Sequence, residues 1–266
     1  MIVNKLRELL KEPSITGVNI DDDSLLQVHS EILKNKILLR SAFETFYKDM
    51  IIQRNQYFKV DGIEIELGSG AGFFKDYNPD LLTSDIRFHQ NIDIEINAID
   101  MNLESGSVKC IYGINVFHHL PDIDKFFSEI IRVLNFGGGC ILIEPHIGLL
   151  SALIHKNLHK DEYFDPNITD WKNSVTGPLS HANQALAYVV FERDIEIFNM
   201  KYGNNLSIIE KSYNLNALRY LFSGGLNFKQ LVPSCFNQVL KDIETRASSF
   251  AKLWSLHEMI IIKKIG

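Results

Sequence analysis

Three glycines at alternate positions, Gly68, Gly70 and Gly72, follow closely on an acidic residue, Glu66. Glycine adopts positive φ and lets the backbone approach a ligand, so a turn here can surround a bound molecule with main-chain N–H groups. Phe73 stands where the dinucleotide fingerprint Gly-x-Gly-x-x-Gly/Ala needs a small residue. The spacing therefore favours a nucleotide-like ligand other than a dinucleotide. An ordinary glycine-rich turn is the alternative that this stretch alone leaves open.

Two further carboxylates follow at the ends of apolar runs. Asp85 lies nineteen residues after Glu66, within the run 81–86, and Asp100 lies within the run 94–102. In nucleotide-binding α/β folds an acid about 20 positions after the glycine loop accepts hydrogen bonds from the ribose hydroxyls. The spacing of Asp85 favours this role over that of an aspartate in a surface turn.

Histidines provide the candidates for proton transfer. His118 and His119 follow the apolar run 108–115, and His146 follows a second run that ends in Glu144. An imidazole or a carboxylate at such positions can remove a proton from an oxygen or nitrogen acceptor. Adjacent histidines do not easily face one site, so we expect one of the first two to be structural.

No metal centre is predicted. His155 and His159 are four residues apart on a predicted helix with two acids nearby, but a solvated helix face is the more common reason for that spacing. The cysteines lack metal-ligand spacing, and two of the three (Cys110 and Cys140) lie in predicted strands. Buried free thiols are therefore expected.

Strands and helices must carry these residues to one place. Apolar runs of strand length cover 62–67, 81–86, 94–102, 108–115, 140–144, 206–211 and 259–263. A helix is expected to begin at the aromatic pair after Gly72, with its first N–H groups directed at the ligand. A strongly amphipathic helix begins near Ile123 and is expected to end in a cap formed by Gly137–Gly139. The alternation predicts an α/β sheet that binds ligands beyond the carboxyl ends of its strands.

Taken in order, these motifs resemble the class I S-adenosylmethionine-dependent methyltransferases, in particular the small-molecule enzymes of the ubiquinone and menaquinone type. The resemblance rests on Glu66 to Gly72, Asp85, Asp100, the His-His-Leu-Pro-Asp segment 118–122 and the Arg-Val-Leu-x-x-Gly-Gly segment 132–138, in which Phe136 replaces the usual proline. It implies a Rossmann-like seven-stranded methyltransferase sheet with helices on both faces. It also implies that S-adenosyl-L-methionine is the cofactor.

The resemblance further implies roles for individual residues. The implied cofactor-binding set is Glu66, Gly68, Ser69, Gly70, Gly72, Phe73, Asp85, Ile86, Asp100, Met101 and Asn115. Within it, Asp85 would bind the ribose, Asp100 the adenine amino group and Met101 the adenine ring. Because the sulfonium already activates the methyl group, the protein mainly has to align an acceptor. His118, His119 and His146 are the candidates for a base.

Two segments flank this plan. Residues 1–58 are predicted to form a helical N-terminal extension to a methyltransferase domain of residues 59–266. One face of it carries Phe43, Phe46, Tyr47, Met50 and Ile51. Packing is the favoured role of that face, with a substrate role for Tyr47 as the weaker alternative. Residues 147–200 are predicted to be a helical lid after the fifth strand. Its candidates for an acceptor pocket are Trp171, Asn183, Tyr188 and Arg193, although simple burial explains them equally well.

Composition limits the function classes. The 266 residues are 45% hydrophobic and 23% charged, as in a soluble globular protein. A net charge of −6 without a basic patch disfavours nucleic-acid binding. The charged N-terminus and the lack of a run of about 20 apolar residues predict no signal peptide or transmembrane segment, and a cytoplasmic location.

The predicted function is methyl transfer to an oxygen, nitrogen or carbon of a small molecule. A sugar, a lipid-linked saccharide or a secondary metabolite would suit the polar and aromatic insertion. A non-catalytic S-adenosylmethionine-binding or interaction protein with the same fold is the alternative. The sequence predicts no oligomeric state.

Overall fold

A single mixed sheet organises the computed structural model, which describes residues 9–18, 22, 24–148, 151, 163–173 and 182–266. Its strands are β1 (Ile63–Leu67), β2 (Leu82–Asp85), β3 (Ile94–Glu95), β4 (Val108–Ile114), β5 (Leu134–Pro145), β6 (Leu206–Tyr213) and β7 (His257–Lys264). They lie in the order β3-β2-β1-β4-β5-β7-β6. β7 runs antiparallel to both β5 and β6, and the other pairs of neighbouring strands are parallel. This arrangement confirms the predicted seven-stranded methyltransferase sheet.

Helices cover both faces of the sheet. They are α1 (Ser24–Asn35), α2 (Ile37–Tyr57), α3 (Ile123–Val133), α4 (Leu186–Tyr188), α5 (Ile195–Tyr202), α6 (Ala217–Ser223), α7 (Asn237–Arg246) and α8 (Ala251–Trp254). On one face α2 buries Phe46 and Tyr47 against Ile141 of β5. On the other face α3 buries Phe127 against Leu142 of β5. No helix in the described ranges is long and apolar enough to cross a membrane.

The N-terminal helices belong to the main core. Tyr47 is fully buried on α2, as are Phe46 and Met50. The Tyr47 ring stacks on Phe74 with centroids 4.5 Å apart. The apolar spacing of this segment therefore reflects packing, as predicted, and Tyr47 is not exposed to a substrate.

The register of the sheet places the candidate residues along one edge. Leu67 pairs with Gly113, Ile114 with Ile143, and Pro145 with His257. The loops after β1, β2, β4 and β5 and the start of β7 therefore share the carboxyl edge of the parallel strands. Ligands of doubly wound sheets bind at this edge.

The prediction of a helix directly after the glycine loop is wrong. Only a short 3-10 turn, Phe74–Asp76, follows Gly72. Pro79 disfavours a helical conformation of Asn78, so the chain cannot extend the turn into a helix. Any ligand at this loop is therefore bound by loop amides and side chains, without a helix N-terminus.

Two other boundaries also differ from the prediction. The third strand has only two residues, Ile94–Glu95, and 97–100 form a turn. The long β5 begins immediately after α3 at Leu134, without the predicted glycine cap. Its glycines serve close packing, since a Cβ at Gly139 would lie 2.2 Å from the Ile262 carbonyl oxygen.

The described part of the insertion is irregular. The lid predicted over 147–200 is helical only in part: α4 continues as a π-helix (Val189–Arg193) before α5 begins, and 163–173 are irregular. Asp194 lies at the break between the π-helix and α5, and its Oδ2 accepts a hydrogen bond from Trp171 Nε1–H at 2.9 Å. The predicted helix that carries His155 and His159 lies outside the described residues, apart from residue 151.

Candidate active site

The loop after β1 is a tight turn that is tied to β2. Gly68 has a φ of +60° and Gly70 a φ of +48°. Ser69 N–H donates to the Ser84 carbonyl oxygen at 2.8 Å, and Ser84 N–H donates to Ser69 Oγ at 3.1 Å. A Cβ at Gly70 would meet no atom of the described residues closer than 3.8 Å, apart from its chain neighbours. Gly70 is therefore the least crowded of the three glycines.

The other two glycines allow close packing inside the protein. A Cβ at Gly68 would lie 2.5 Å from Val116 Cγ2, and one at Gly72 would lie 2.9 Å from the Tyr47 hydroxyl. That hydroxyl also accepts a hydrogen bond from Phe73 N–H at 3.2 Å. The Phe73 ring packs on Tyr47 with centroids 5.1 Å apart. The N-terminal extension therefore supports the loop from behind, and Phe73 belongs to that support.

Glu66 carries a buried carboxylate directly behind the loop. The residue is 3% exposed, and its Oε2 has no hydrogen-bond partner in the described part of the chain. Burial raises the pKa of Glu66 to about 7, and the nearby Asp85 charge adds to this effect, while a hydrogen bond to Ser69 opposes it. Buried polar atoms rarely stay unpaired. A cationic group of a ligand, such as the ammonium of S-adenosylmethionine, fits this carboxylate.

Asp85 joins β2 to the glycine loop. Its Oδ2 accepts from Gly70 N–H at 3.2 Å, and its Oδ1 accepts from Arg87 N–H at 3.3 Å. Ile86, the next residue, is 49% exposed and offers an apolar surface at the same edge. The nineteen-residue spacing therefore predicted correctly that Asp85 and the loop come together.

The turn after β3 is held by α3. Met101 N–H donates to Glu129 Oε2 at 2.6 Å, and the Met101 carbonyl accepts from Arg132 Nη2–H at 2.6 Å. The Met101 side chain is buried in the core, while Asp100 is exposed beside it. Sequence reasoning missed this clamp, although the i, i+3 spacing of Glu129 and Arg132 is a usable signal.

Asn115 ends β4 in an unusual backbone conformation. Its φ of +55° makes it the sole non-glycine residue with positive φ in the ranges described. Asparagine tolerates this region better than most residues. The buried Asn115 Oδ1 has no hydrogen-bond partner among these residues. A strained residue with an orphaned amide oxygen, next to the glycine loop, again fits a ligand-binding role.

Glu144 and His118 fix the loop after β4. Glu144 Oε1 accepts from Val116 N–H at 2.9 Å and from Phe117 N–H at 2.7 Å, and Oε2 lies 2.5 Å from His118 Nδ1. Both side chains are buried. His118 is therefore the structural member of the histidine pair. His119 is half-buried, with its ring centroid 4.3 Å from that of His118.

His146 lies in a different cluster at the end of β5. Its Nε2 is 3.0 Å from the Lys252 carbonyl oxygen, and its Nδ1 is 3.5 Å from Glu258 Oε2. The ring also packs on Tyr213, with centroids 4.7 Å apart. The three predicted histidines therefore do not form one catalytic group.

Two acceptor candidates in the insertion are used for packing. The indole of Trp171 is in the core beside Phe127. Asn183 is fully buried. Its Oδ1 accepts from Asp165 N–H and Ala185 N–H at 3.1 Å each, and its Nδ2 donates to the Asp165 carbonyl at 2.9 Å. The polar groups of both side chains form hydrogen bonds within the protein, so burial accounts for both residues.

Arg193 and Tyr188 are also anchored. The guanidinium of Arg193 donates to both carboxylate oxygens of Asp194 at 2.8 and 2.7 Å and to the Pro166 carbonyl at 2.6 Å. Tyr188 is half-buried against the core of the α3 face. Arg193 therefore stabilises the insertion. Tyr188 is the one of the four that is partly exposed and forms no side-chain hydrogen bond within the described residues.

The insertion is fastened to the histidine loop by a residue that sequence reasoning missed. Asn173 Nδ2 donates to the carbonyl oxygens of His118 and Leu120 at 2.9 Å each. Asn183 N–H also donates to the His118 carbonyl at 3.1 Å. The described part of the insertion is therefore fixed beside the loop after β4. Nothing in the local sequence distinguishes Asn173 from an ordinary polar loop residue.

Comparison with known proteins agrees with this geometry. Residues 65–142, from β1 into β5, match the family model described as a methyltransferase domain. A search of curated proteins gave no match. The match agrees with the resemblance to methyltransferases that the motifs show over the same residues.

Several solved structures are similar to the chain. Geranyl diphosphate C-methyltransferase from Streptomyces coelicolor A3(2) has a TM-score of 0.47 at 11% identity, over 82% of this chain and 78% of that one. An S-adenosylmethionine-dependent methyltransferase from Archaeoglobus fulgidus has a TM-score of 0.43 at 14% identity, over 82% and 92%. Phosphoethanolamine N-methyltransferase 2 from Haemonchus contortus has a TM-score of 0.45 at 12% identity, over 93% and 58%.

Proposed function

We propose that the chain is an S-adenosylmethionine-dependent methyltransferase that methylates an oxygen or nitrogen of a small polar acceptor. A sugar or a hydroxylated secondary metabolite is the class that we favour. The acceptor would bind at the edge formed by the carboxyl ends of β4 and β5 and the start of β7. There the loop after β4 and the described part of the insertion form one wall.

The observation that carries the proposal is the buried Oε2 of Glu66, which has no hydrogen-bond partner among the described residues. It lies behind Gly70, where a Cβ would meet no described atom closer than 3.8 Å. We infer that Glu66 holds the cofactor's ammonium, Asp85 its ribose hydroxyls and Asp100 its adenine amino group. The Asn115 amide would complete the site. When bound, S-adenosylmethionine supplies a methyl group that its sulfonium has already activated. The protein then has to exclude water and hold the acceptor in line.

We assign proton removal to His119. Glu144 and His118 already satisfy each other and the loop amides, and His146 contacts β7 instead. His119 is the half-buried member of the set, at the carboxyl end of β4. A neutral imidazole there can take the proton that a hydroxyl group releases as its oxygen attacks the methyl group, or the proton that an amine nitrogen loses once it has been methylated. We therefore propose an oxygen or nitrogen acceptor, each of which carries a proton for this base to remove.

The test measures S-adenosylhomocysteine formation with a panel of sugars, phenols and amines. We expect turnover with at least one acceptor, and a His119→Gln variant should lower kcat about 100-fold while S-adenosylhomocysteine affinity is unchanged. His118→Gln is the structural control and should lower the melting temperature. Cofactor binding without turnover across the panel would favour a non-catalytic binding protein. Unchanged kcat in His119→Gln would remove that residue from the mechanism.

A further inference from the structure

A second group of ligand-type side chains lies at the carboxyl edge of β5. His146 Nδ1 and the carboxylates of Glu192 and Glu258 all lie within 4.8 Å of one another. His146 is 3% exposed and Glu258 is 1% exposed, while Glu192 is exposed. The three residues come from the end of β5, the π-helix and the start of β7, so only the fold brings them together.

His146 and Glu258 face each other with atoms that lack hydrogen-bond partners within the described residues. The Lys252 carbonyl oxygen, 3.0 Å from Nε2, can only accept, so Nε2 carries the proton. The second ring nitrogen, Nδ1, faces Glu258 Oε2 3.5 Å away. Nδ1 and both Glu258 oxygens have no hydrogen-bond partner within the described residues. Two buried acceptors that face each other require a cation or a proton between them.

Lys211 meets this requirement only in part. Its Nζ lies 2.7 Å from Glu192 Oε1 but 3.4 Å from Glu258 Oε2, beyond the usual hydrogen-bond range. The Lys211 side chain is 26% exposed, and its flexible stem allows the ammonium to move into solvent. Lys211 therefore acts as a replaceable counter-ion, and the buried pair keeps unsatisfied ligand atoms.

The separation of His146 and Glu258 fits a transition metal, and Glu192 lies near enough to reach it by a small side-chain movement. Metal–ligand bonds of about 2.0–2.2 Å in tetrahedral geometry place neighbouring ligand atoms about 3.4 Å apart. The separation of His146 Nδ1 and Glu258 Oε2 is 3.5 Å. Glu192 stands on a five-residue π-helix, Val189–Arg193, a rare element that is frequent at functional sites.

We propose that His146, Glu192 and Glu258 bind a divalent transition-metal cation of the zinc class, which displaces the ammonium of Lys211. One imidazole and two carboxylates form a borderline ligand set of the kind that Zn²⁺, Co²⁺ and Mn²⁺ accept. Three protein ligands leave a fourth position for water or for a hydroxyl of a bound molecule. This site revises the expectation of no metal, and it is independent of the proposed methyl transfer.

The test is a titration of the full chain with Co²⁺, in the absence of cofactor and acceptor. We expect equimolar binding with the visible bands of four-coordinate Co²⁺. Glu258→Gln should weaken binding by more than the roughly 10–100-fold that loss of an outer-shell partner costs. The control is a His155→Ala/His159→Ala double variant, which removes the other histidine pair at metal-ligand spacing and should bind Co²⁺ like the unmodified chain.

Lys211→Met separates a metal site from a plain ion-pair cluster, even if Glu258→Gln fails to fold. Removal of the competing ammonium should tighten Co²⁺ binding by about 10-fold or more. If Co²⁺ does not bind in equimolar amount, or if Lys211→Met leaves its affinity unchanged, the proposal is wrong. Co²⁺ binding that disappears in the His155/His159 variant would also overturn it. Because no methyl acceptor is present, failure of the proposed methyl transfer would not affect these results.

Discussion

The cofactor edge and the insertion use polar side chains in opposite ways. At the edge formed by the loops after β1, β2 and β4, Glu66 and Asn115 keep buried oxygens that have no partner among the described residues. A Cβ at Gly70 would meet no described atom closer than 3.8 Å. In the insertion, Asn183 and Arg193 spend their polar atoms on neighbouring backbone and carboxylate groups. Unsatisfied buried groups indicate a ligand, whereas satisfied groups indicate scaffold.

This contrast separates residues that the sequence presents as equals. A polar residue in a loop is a binding candidate only if the fold leaves its hydrogen-bonding capacity unused. Four variants test the contrast, each by comparing cofactor affinity with stability. Changes at the cofactor edge should lower affinity, and changes in the insertion should lower stability alone.

The largest effect is expected for Gly70→Val, which should abolish S-adenosylhomocysteine binding. A β-branched side chain at a φ of +48° is strained, and it would occupy the space beside Leu26 and Asp85 where we expect the ligand. Gly106→Val is the matched control, because Gly106 has a φ of +70° and no atom within 4 Å of its Cβ position. Both variants should lose similar stability in thermal unfolding. Calorimetry should show normal binding for the Gly106 variant, and equal binding by the two would show that the loop is an ordinary turn.

Glu66→Gln should change the pH dependence of stability by about 3 kcal/mol, because burial raises the pKa of Glu66 from 4.5 to about 7. A raised pKa stabilises the folded state below the unfolded-state value. That contribution is lost as the pH rises through about 7. Denaturant unfolding of the ligand-free protein should show that the stability difference between variant and unmodified chain grows from pH 4 to pH 8.

The same substitution should alter ligand binding. The affinity of the unmodified chain for S-adenosylhomocysteine should rise as Glu66 ionises, since the ligand's ammonium favours the charged carboxylate. The Glu66→Gln variant should bind more weakly and lack this rise. Identical pH profiles for the two proteins would mean that Glu66 does not face the ligand.

Asp85→Ala should weaken S-adenosylhomocysteine binding by about 1.5–3 kcal/mol, which is the loss expected for charge-assisted hydrogen bonds. Asp85 also accepts from Gly70 N–H, so the variant loosens the loop as well as removing a ribose acceptor. S-adenosylhomocysteine and homocysteine titrations separate these effects. Only the nucleoside ligand should lose affinity through the ribose, and unchanged nucleoside affinity would contradict the assignment.

Trp171→Phe should have the smallest effect on the site. It removes the 2.9 Å hydrogen bond to Asp194 and should lower the free energy of unfolding by about 1 kcal/mol. S-adenosylhomocysteine affinity and acceptor KM should stay the same. A large rise in acceptor KM at unchanged stability would restore Trp171 as a substrate contact.

The sequence predicted the strands around the glycine loop because their signals are local. The glycine loop, Asp85 and the strands that carry them depend on short-range spacing, and the structure brings them together as expected. The family match from residue 65 to residue 142 covers the same part. The positive φ of Asn115 and the orphaned oxygen of Glu66 give these residues a physical basis for binding.

The rest of the site depends on long-range contacts. Asn173 donates a hydrogen bond to the His118 carbonyl, 55 positions away in the sequence. His146 lies beside Glu258, 112 positions away. No spacing rule links such residues before the fold is known. The insertion's polar residues likewise give no sign that their groups are consumed internally, and the missing helix after Gly72 depends on Pro79.

Hydrogen exchange with and without S-adenosylhomocysteine shows in one experiment whether the ligand contacts the loops after β1, β2 and β4 and leaves the insertion untouched. Bound ligand should protect the amides of 68–72, 85–88 and 115–119 at the cofactor edge. The amides of 163–173 and 183–193 in the insertion should exchange as in the free protein. Equal protection of both regions, or protection of the insertion alone, would mean that the ligand binds against the insertion and that its polar residues are not merely structural.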